Sequence, residues 1–130
     1  MISLNKTLLI GQVQNDPDFR VTGNNVMKAN FHVITEDDKI GEKEFHRVVA
    51  FGETAKCCGD SLFKGSTVFV EGRIRTSEWK DKRGDKKRTI EIVASSIKLL
   101  EFSYRYKRKK RALKNDVELW NALLQLEKSV

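Results

Sequence analysis

Residues 1–101 alternate apolar and polar side chains in short runs and change period once, between residues 52 and 63. There Ala55, Cys58 and Leu62 recur at spacings of three and four, which predicts a short helix. The flanking segments keep the two-residue period of a strand, in which successive side chains point to opposite faces. Strands are predicted over residues 4–13, 26–35, 43–51, 67–79 and 88–100, with a shorter extended piece at 19–22. Turn residues separate them: Asn15-Asp16-Pro17, Gly23-Asn24-Asn25, Lys64-Gly65-Ser66, and a charged tip around Gly84. Gly72 falls inside the fourth strand and predicts a bulge or a sharp bend.

The inward faces are expected to be Ala29, Phe31 and Val33 on the second strand, Val68, Val70 and Ile74 on the fourth, and Ile90, Ile92 and Ala94 on the fifth. Four to six strands with one short helix between the third and fourth is the layout of an OB-fold barrel. The predicted class is therefore all-β with one short helix, as a five-stranded OB-fold barrel over residues 1–101. Residues 102–130 are expected to form a separate basic segment followed by a short amphipathic helix.

Charge divides the chain in the same place. Residues 1–101 carry 17 Lys/Arg against 15 Asp/Glu, and residues 102–130 carry 8 against 3. The excess of +7 favours a polyanion through counterion release, whether nucleic acid or an acidic membrane surface. No apolar run is long enough for a membrane span, and the first residues lack the basic start of a secretory leader, so a cytoplasmic chain is expected. Cys57 and Cys58 are adjacent, which disfavours a relaxed disulfide, and neither has His at zinc-ligand spacing. They are read as packing residues. No residues are organised for a metal, a cofactor or acid–base work, so the chain is read as non-enzymatic.

The stretch from Phe45 to Trp79 carries the functional signal. Phe45, Phe51 and Trp79 share odd positions with Arg47, Arg73 and Arg75 in two predicted strands. One sheet face then interleaves flat rings with guanidinium groups, and buried arginine is costly, which argues against a core role. Rings stack on unpaired bases while cations neutralise phosphates, the chemistry of single-stranded nucleic-acid binding. Lys80, Lys82, Arg83, Lys86, Lys87 and Arg88 outnumber the acids of the hairpin beyond Trp79 and extend that face as phosphate contacts. The alternative for these cations is a solvated edge that blocks aggregation.

Several segments, in order and at nearly constant spacing, resemble the bacterial-type single-stranded DNA-binding protein family. They are Leu4-Asn-Lys-Thr-Leu-Leu-Ile-Gly11, Asp16-Pro17 with Arg20, His46-Arg-Val-Val-Ala-Phe-Gly52, Lys64-Gly-Ser66, Val70-Glu-Gly-Arg-Ile-Arg-Thr76, Trp79 with Asp81 and Gly84, and Glu91-Ile-Val-Ala94. The resemblance spans residues 1–101. It implies an OB-fold, cooperative binding of single-stranded DNA without sequence preference in replication, recombination or repair, and a homotetramer, with a dimer as the alternative. By position it makes Phe45, Phe51 and Trp79 stacking residues, places Arg73 and Arg75 on a strand lining the DNA groove, and sets His46 near a subunit interface.

Two departures stand out. Phe45 replaces the Trp usual at its position, and the loop over residues 36–42 is short, lacks a Trp and carries Glu36, Asp37 and Asp38. Smaller stacking surfaces predict weaker binding per subunit. The family's Gly/Pro/Gln-rich tail with an acidic tip is also missing from these residues. Instead, residues 105–111 hold six cations in seven positions, and Val117, Trp120, Leu123 and Leu124 share one face of a helix predicted over residues 116–127. That face is expected to dock on the barrel, on a second copy, or on a protein partner. An accessory interaction module and an RNA-binding protein are the rival functions, since nothing here reads a 2′-hydroxyl.

Overall fold

A computed structural model describes residues 1–101, which form six strands and one helix: β1 (Thr7–Val13), β2 (Asp18–Val21), β3 (Met27–Asp37), β4 (Glu42–Phe51), α1 (Gly52–Ser61), β5 (Thr67–Lys80) and β6 (Lys86–Glu101). The expectations for residues 102–130, including the basic run and the helix around Trp120, lie outside the described residues.

The strands form one sheet in the order β1-β5-β6-β4-β3-β2. Pairing of Gln12 with Ile34 and of Val13 with Val33 joins β1 to β3 and closes five strands into a ring, with β2 attached to β3 outside it. All neighbours are antiparallel except β4 and β6, which run parallel. A closed ring has no free sheet edge on those five strands, which removes the aggregation hazard of an open sheet. The expected five-stranded OB-fold barrel is the architecture observed.

The core is the inner face of that ring. Val13, Phe31, Val33, Val48, Ala50, Val68, Val70, Ile92 and Ile97 are buried there with Ala55, Cys58 and Leu62 of the helix segment. The three- and four-residue spacing that predicts α1 is therefore the stripe it buries. Truncating a side chain such as Phe31, fully enclosed, is expected to cost about 3–5 kcal/mol. Burial and the neighbouring Cys57 push the Cys58 thiol up to about 12, so it stays protonated and packs as a small apolar group.

The bulge predicted near Gly72 exists, but its extra residue sits on the other strand. Glu71 pairs with Ser96 and Gly72 with Ala94, leaving Ser95 unmatched on β6. Alternation along β5 is therefore unbroken, and alternation along β6 reverses, so that Ile92 and Ala94 face inward before the bulge and Ile97 after it. Gly72 is required by proximity: a Cβ there would lie 2.3 Å from the Val93 carbonyl oxygen.

Two inward assignments are corrected. Ile74 and Ile90 have the right parity but are 48% and 69% exposed. The β5–β6 hairpin outruns the ring: Ile92 is still buried in the core, but Ile74 opposite it and Ile90 further along lie outside the enclosed part. The first strand also begins at Thr7, not at residue 4. Asn5 still holds its segment against β5, donating from Nδ2 to the Ile74 carbonyl at 2.7 Å and accepting from the Ile74 amide at 2.9 Å.

Candidate nucleic-acid interface

Strands β4, β6 and β5 lie side by side, and the odd-numbered residues of β4, of β5 and, before its bulge, of β6 form one outer face. Register sets the rows: Val49 beside Val93, Arg75 opposite Glu91, Ser77 opposite Thr89, and Trp79 opposite Lys87. Phe45, Arg47 and Phe51 alternate along β4 on the same side, while Val48 and Ala50 point into the core. Because β5 keeps its alternation through Gly72, Arg73, Arg75 and Trp79 also stay on this side. The six residues of the Phe45–Trp79 pattern thus share a face.

The rings are available. Phe45, Phe51 and Trp79 are 55%, 37% and 51% exposed, which rules out the core-packing alternative for the described chain. Trp79 is held in place by donating from Nε1 to the Thr89 hydroxyl at 3.0 Å. The guanidinium carbon of Arg75 lies 5.8 Å from the centre of the Phe51 ring, within cation–π range. Between the rings the floor is apolar, formed by buried Val49 and half-buried Val93.

The cations fall into three groups. Arg73 and Lys87 are exposed on the ring face, and neither forms an ion pair with a described carboxylate. Arg47 and Arg75 both reach Glu91, whose side chain is only 6% exposed. Arg47 Nε lies 3.4 Å from Oε2, Arg75 Nε donates to Oε1 at 3.0 Å, and Arg75 Nη2 donates to the same oxygen. Lys80, Lys86 and Arg88 have the opposite parity and lie on the other side of the hairpin ribbon, with Lys82 and Arg83 in its turn. There Arg88 pairs with Glu78 at 3.1 Å, while Lys80 and Lys86 sit directly opposite each other. Like charges in that position repel, and an anion laid across the hairpin relieves the repulsion.

His46 is not on this face. It shares the side of Val48, and its Nε2 lies 2.8 Å from the Thr35 hydroxyl. Thr89 and Glu91 belong to the face but were not singled out from sequence. Their parity was legible, since they alternate with Ile90 and Ile92, but their partners depend on the β5–β6 register. Among the described residues no group of His, Cys, Asp or Glu could hold a metal ion, and no helix is long and apolar enough to cross a membrane.

Comparison with known proteins agrees with this geometry. The chain is 41% identical over 105 residues to Single-stranded DNA-binding protein 1 of Chlorobaculum tepidum, covering 75% of this chain and 65% of that protein. It is 40% identical over 108 residues to Single-stranded DNA-binding protein 1 of Xylella fastidiosa, covering 77% of this chain and 79% of that one. The chain thus spans about two thirds of the first relative's length. The model of the single-strand binding protein family matches residues 4–100, nearly the whole barrel, and the chain belongs to that family.

Proposed function

We propose that this chain binds and protects single-stranded DNA without sequence preference, in replication, recombination or repair. One observation carries the proposal: three exposed rings, Phe45, Phe51 and Trp79, lie on one barrel face with exposed cations beside them. Every base has a flat face, so stacking on such rings tolerates any sequence, and each base stacked contributes about 1–3 kcal/mol. The strand would run over β4, β6 and β5 and out along the hairpin, with bases on the rings and phosphates near Arg73, Lys80, Lys82, Arg83, Lys86, Lys87 and Arg88. No catalytic step is part of this function.

Titration with oligo-dT, followed by the emission of Trp79 in a Trp120→Phe background, is the test. Quenching that weakens with added salt is expected; no quenching and no salt-sensitive binding overturns the proposal. Competition between matched DNA and RNA strands separates DNA binding from the RNA alternative.

Assembly as a homotetramer belongs to the same proposal. Leu8 and Ile10 are exposed on the outer side of β1, where Ile10 pairs with Phe69, and an apolar surface of this kind suits self-association. His46 would lie near such an interface. Light scattering is expected to give four times the chain mass. Val117, Trp120, Leu123 and Leu124 would supply a protein-docking helix; deleting residues 102–130 should then release a partner while the barrel still binds DNA.

A further inference from the structure

The three cation classes need not act alike. A free ammonium or guanidinium neutralises a phosphate and releases a counterion. A guanidinium whose N–H donors are held by a buried carboxylate can turn to a phosphate only by giving up those bonds. Glu91 is the acid that makes this distinction. It projects from β6 between β4 and β5, is almost wholly enclosed, and receives Arg47 from one side and Arg75 from the other. Arg75 is fixed further by its place over the Phe51 ring. Arg73, two residues away on the same strand face, is exposed and has no described carboxylate partner.

We propose that Glu91 is a positioning residue of the DNA-binding face, which holds the Arg47 and Arg75 guanidinium groups as fixed flat surfaces and withdraws them from phosphate neutralisation. This rests on the ring face being the DNA face. The two arginines then serve with Phe51 as a platform for bases, because a guanidinium plane stacks on a base as an aromatic ring does. Arg73, Lys87 and the hairpin cations carry the salt dependence. The arrangement keeps the platform rigid before DNA arrives, so less side-chain freedom is lost on binding.

The slope of log affinity for oligo-dT against log salt separates the two roles, since each phosphate neutralised on a single strand contributes about 0.7. Glu91→Gln in the full chain is expected to steepen the slope by at least about 0.7, because freed guanidinium groups turn to phosphates. Asp60→Asn, the same charge change on the exposed side of α1, is expected to leave it unchanged. A Glu91→Gln protein with a lower melting temperature but the native slope shows a purely structural acid and overturns the proposal. If Glu91→Gln does not fold, Arg75→Gln decides. It should weaken binding by the same factor at every salt concentration with the slope retained, whereas Arg73→Gln should lose about 0.7 of slope. An equal loss of slope in Arg75→Gln and Arg73→Gln overturns the role of Glu91 alone. Binding that survives with its native slope in Arg73→Gln and Lys87→Gln overturns the assignment of the ring face itself, and the role of Glu91 with it.

Discussion

The two long hairpins of this barrel each turn on an aspartate and a glycine, and they are charged oppositely. At the β3–β4 tip, Asp37 Oδ1 accepts from the Lys39 amide at 3.0 Å, and its carbonyl accepts from the Gly41 amide at 2.7 Å. At the β5–β6 tip, Asp81 Oδ1 accepts from the Arg83 and Asp85 amides, both at 2.9 Å, and its carbonyl accepts from the Gly84 amide at 3.0 Å. Each turn closes on a glycine with positive φ, 67° at Gly41 and 83° at Gly84, where a side chain would be strained. Around these turns the first hairpin carries Glu36, Asp38, Glu42 and Glu44 against Lys39 and Lys43, and the second Lys80, Lys82, Arg83, Lys86, Lys87 and Arg88 against Glu78 and Asp85. Turn geometry is thus set by one aspartate and one glycine, which leaves the other positions free to carry charge. Phe45 stands at the foot of the acidic hairpin and Trp79 near the end of the basic one, so the face runs from a repelling end to an attracting end for a phosphate chain.

The largest effect should come from inverting the attracting end. Replacing Lys80, Lys82, Arg83 and Lys87 by Glu should remove about 3 from the salt slope, at ~0.7 for each phosphate contact. Oligo-dT binding at physiological ionic strength should then fall by more than about 100-fold. A loss below tenfold would show that the hairpins do not differ in function. Next comes the ring comparison. Trp79→Ala should cost about 1–3 kcal/mol of binding and Phe45→Ala less, because its ring is smaller and stands at the foot of the acidic hairpin. Phe45→Trp should tighten binding, and equal losses at the two alanines would break the proposed gradient.

A smaller gain is expected at the repelling end. Glu36→Gln with Asp38→Asn should raise affinity about two- to fivefold at low salt, with the gain fading at higher salt as screening removes the repulsion. The smallest difference should appear in the turns themselves. Asp37→Ala, which loses one side-chain hydrogen bond, should lower stability by about 1 kcal/mol, and Asp81→Ala, which loses two, by about 2 kcal/mol. Thermal melting that separates the two by more than that extra hydrogen bond would show that the turns are not equivalent.

Much of the face was legible because strand alternation is local. Phe45, Arg47 and Phe51 share a side of β4 whatever its neighbours do, and so do Arg73, Arg75 and Trp79 on β5. Gly72 marked one place where the β5–β6 register shifts, yet its own strand is not the one that slips. Close backbone approach demands a glycine on β5, while the extra residue, Ser95, enters on β6. A sequence shows where room is needed but not which partner supplies the irregularity. Sequence alone groups the hairpin cations beside Trp79, whereas register divides them between two sides of a ribbon.

The sequence by itself determined the strands, the single helix with its buried stripe, the turns and the ring-bearing side of each strand. These follow from dihedral alternation, helical period and turn chemistry, all of which act over a few residues. Only the tertiary structure decided that Ile74 and Ile90 stay exposed while Val68 and Val70 are buried, because that depends on where the ring closes. It also decided that Glu91 lies between Arg47 and Arg75, 44 and 16 residues away. Charge pairing of that kind is set by strand neighbours, and strand neighbours are chosen by closure of the whole barrel.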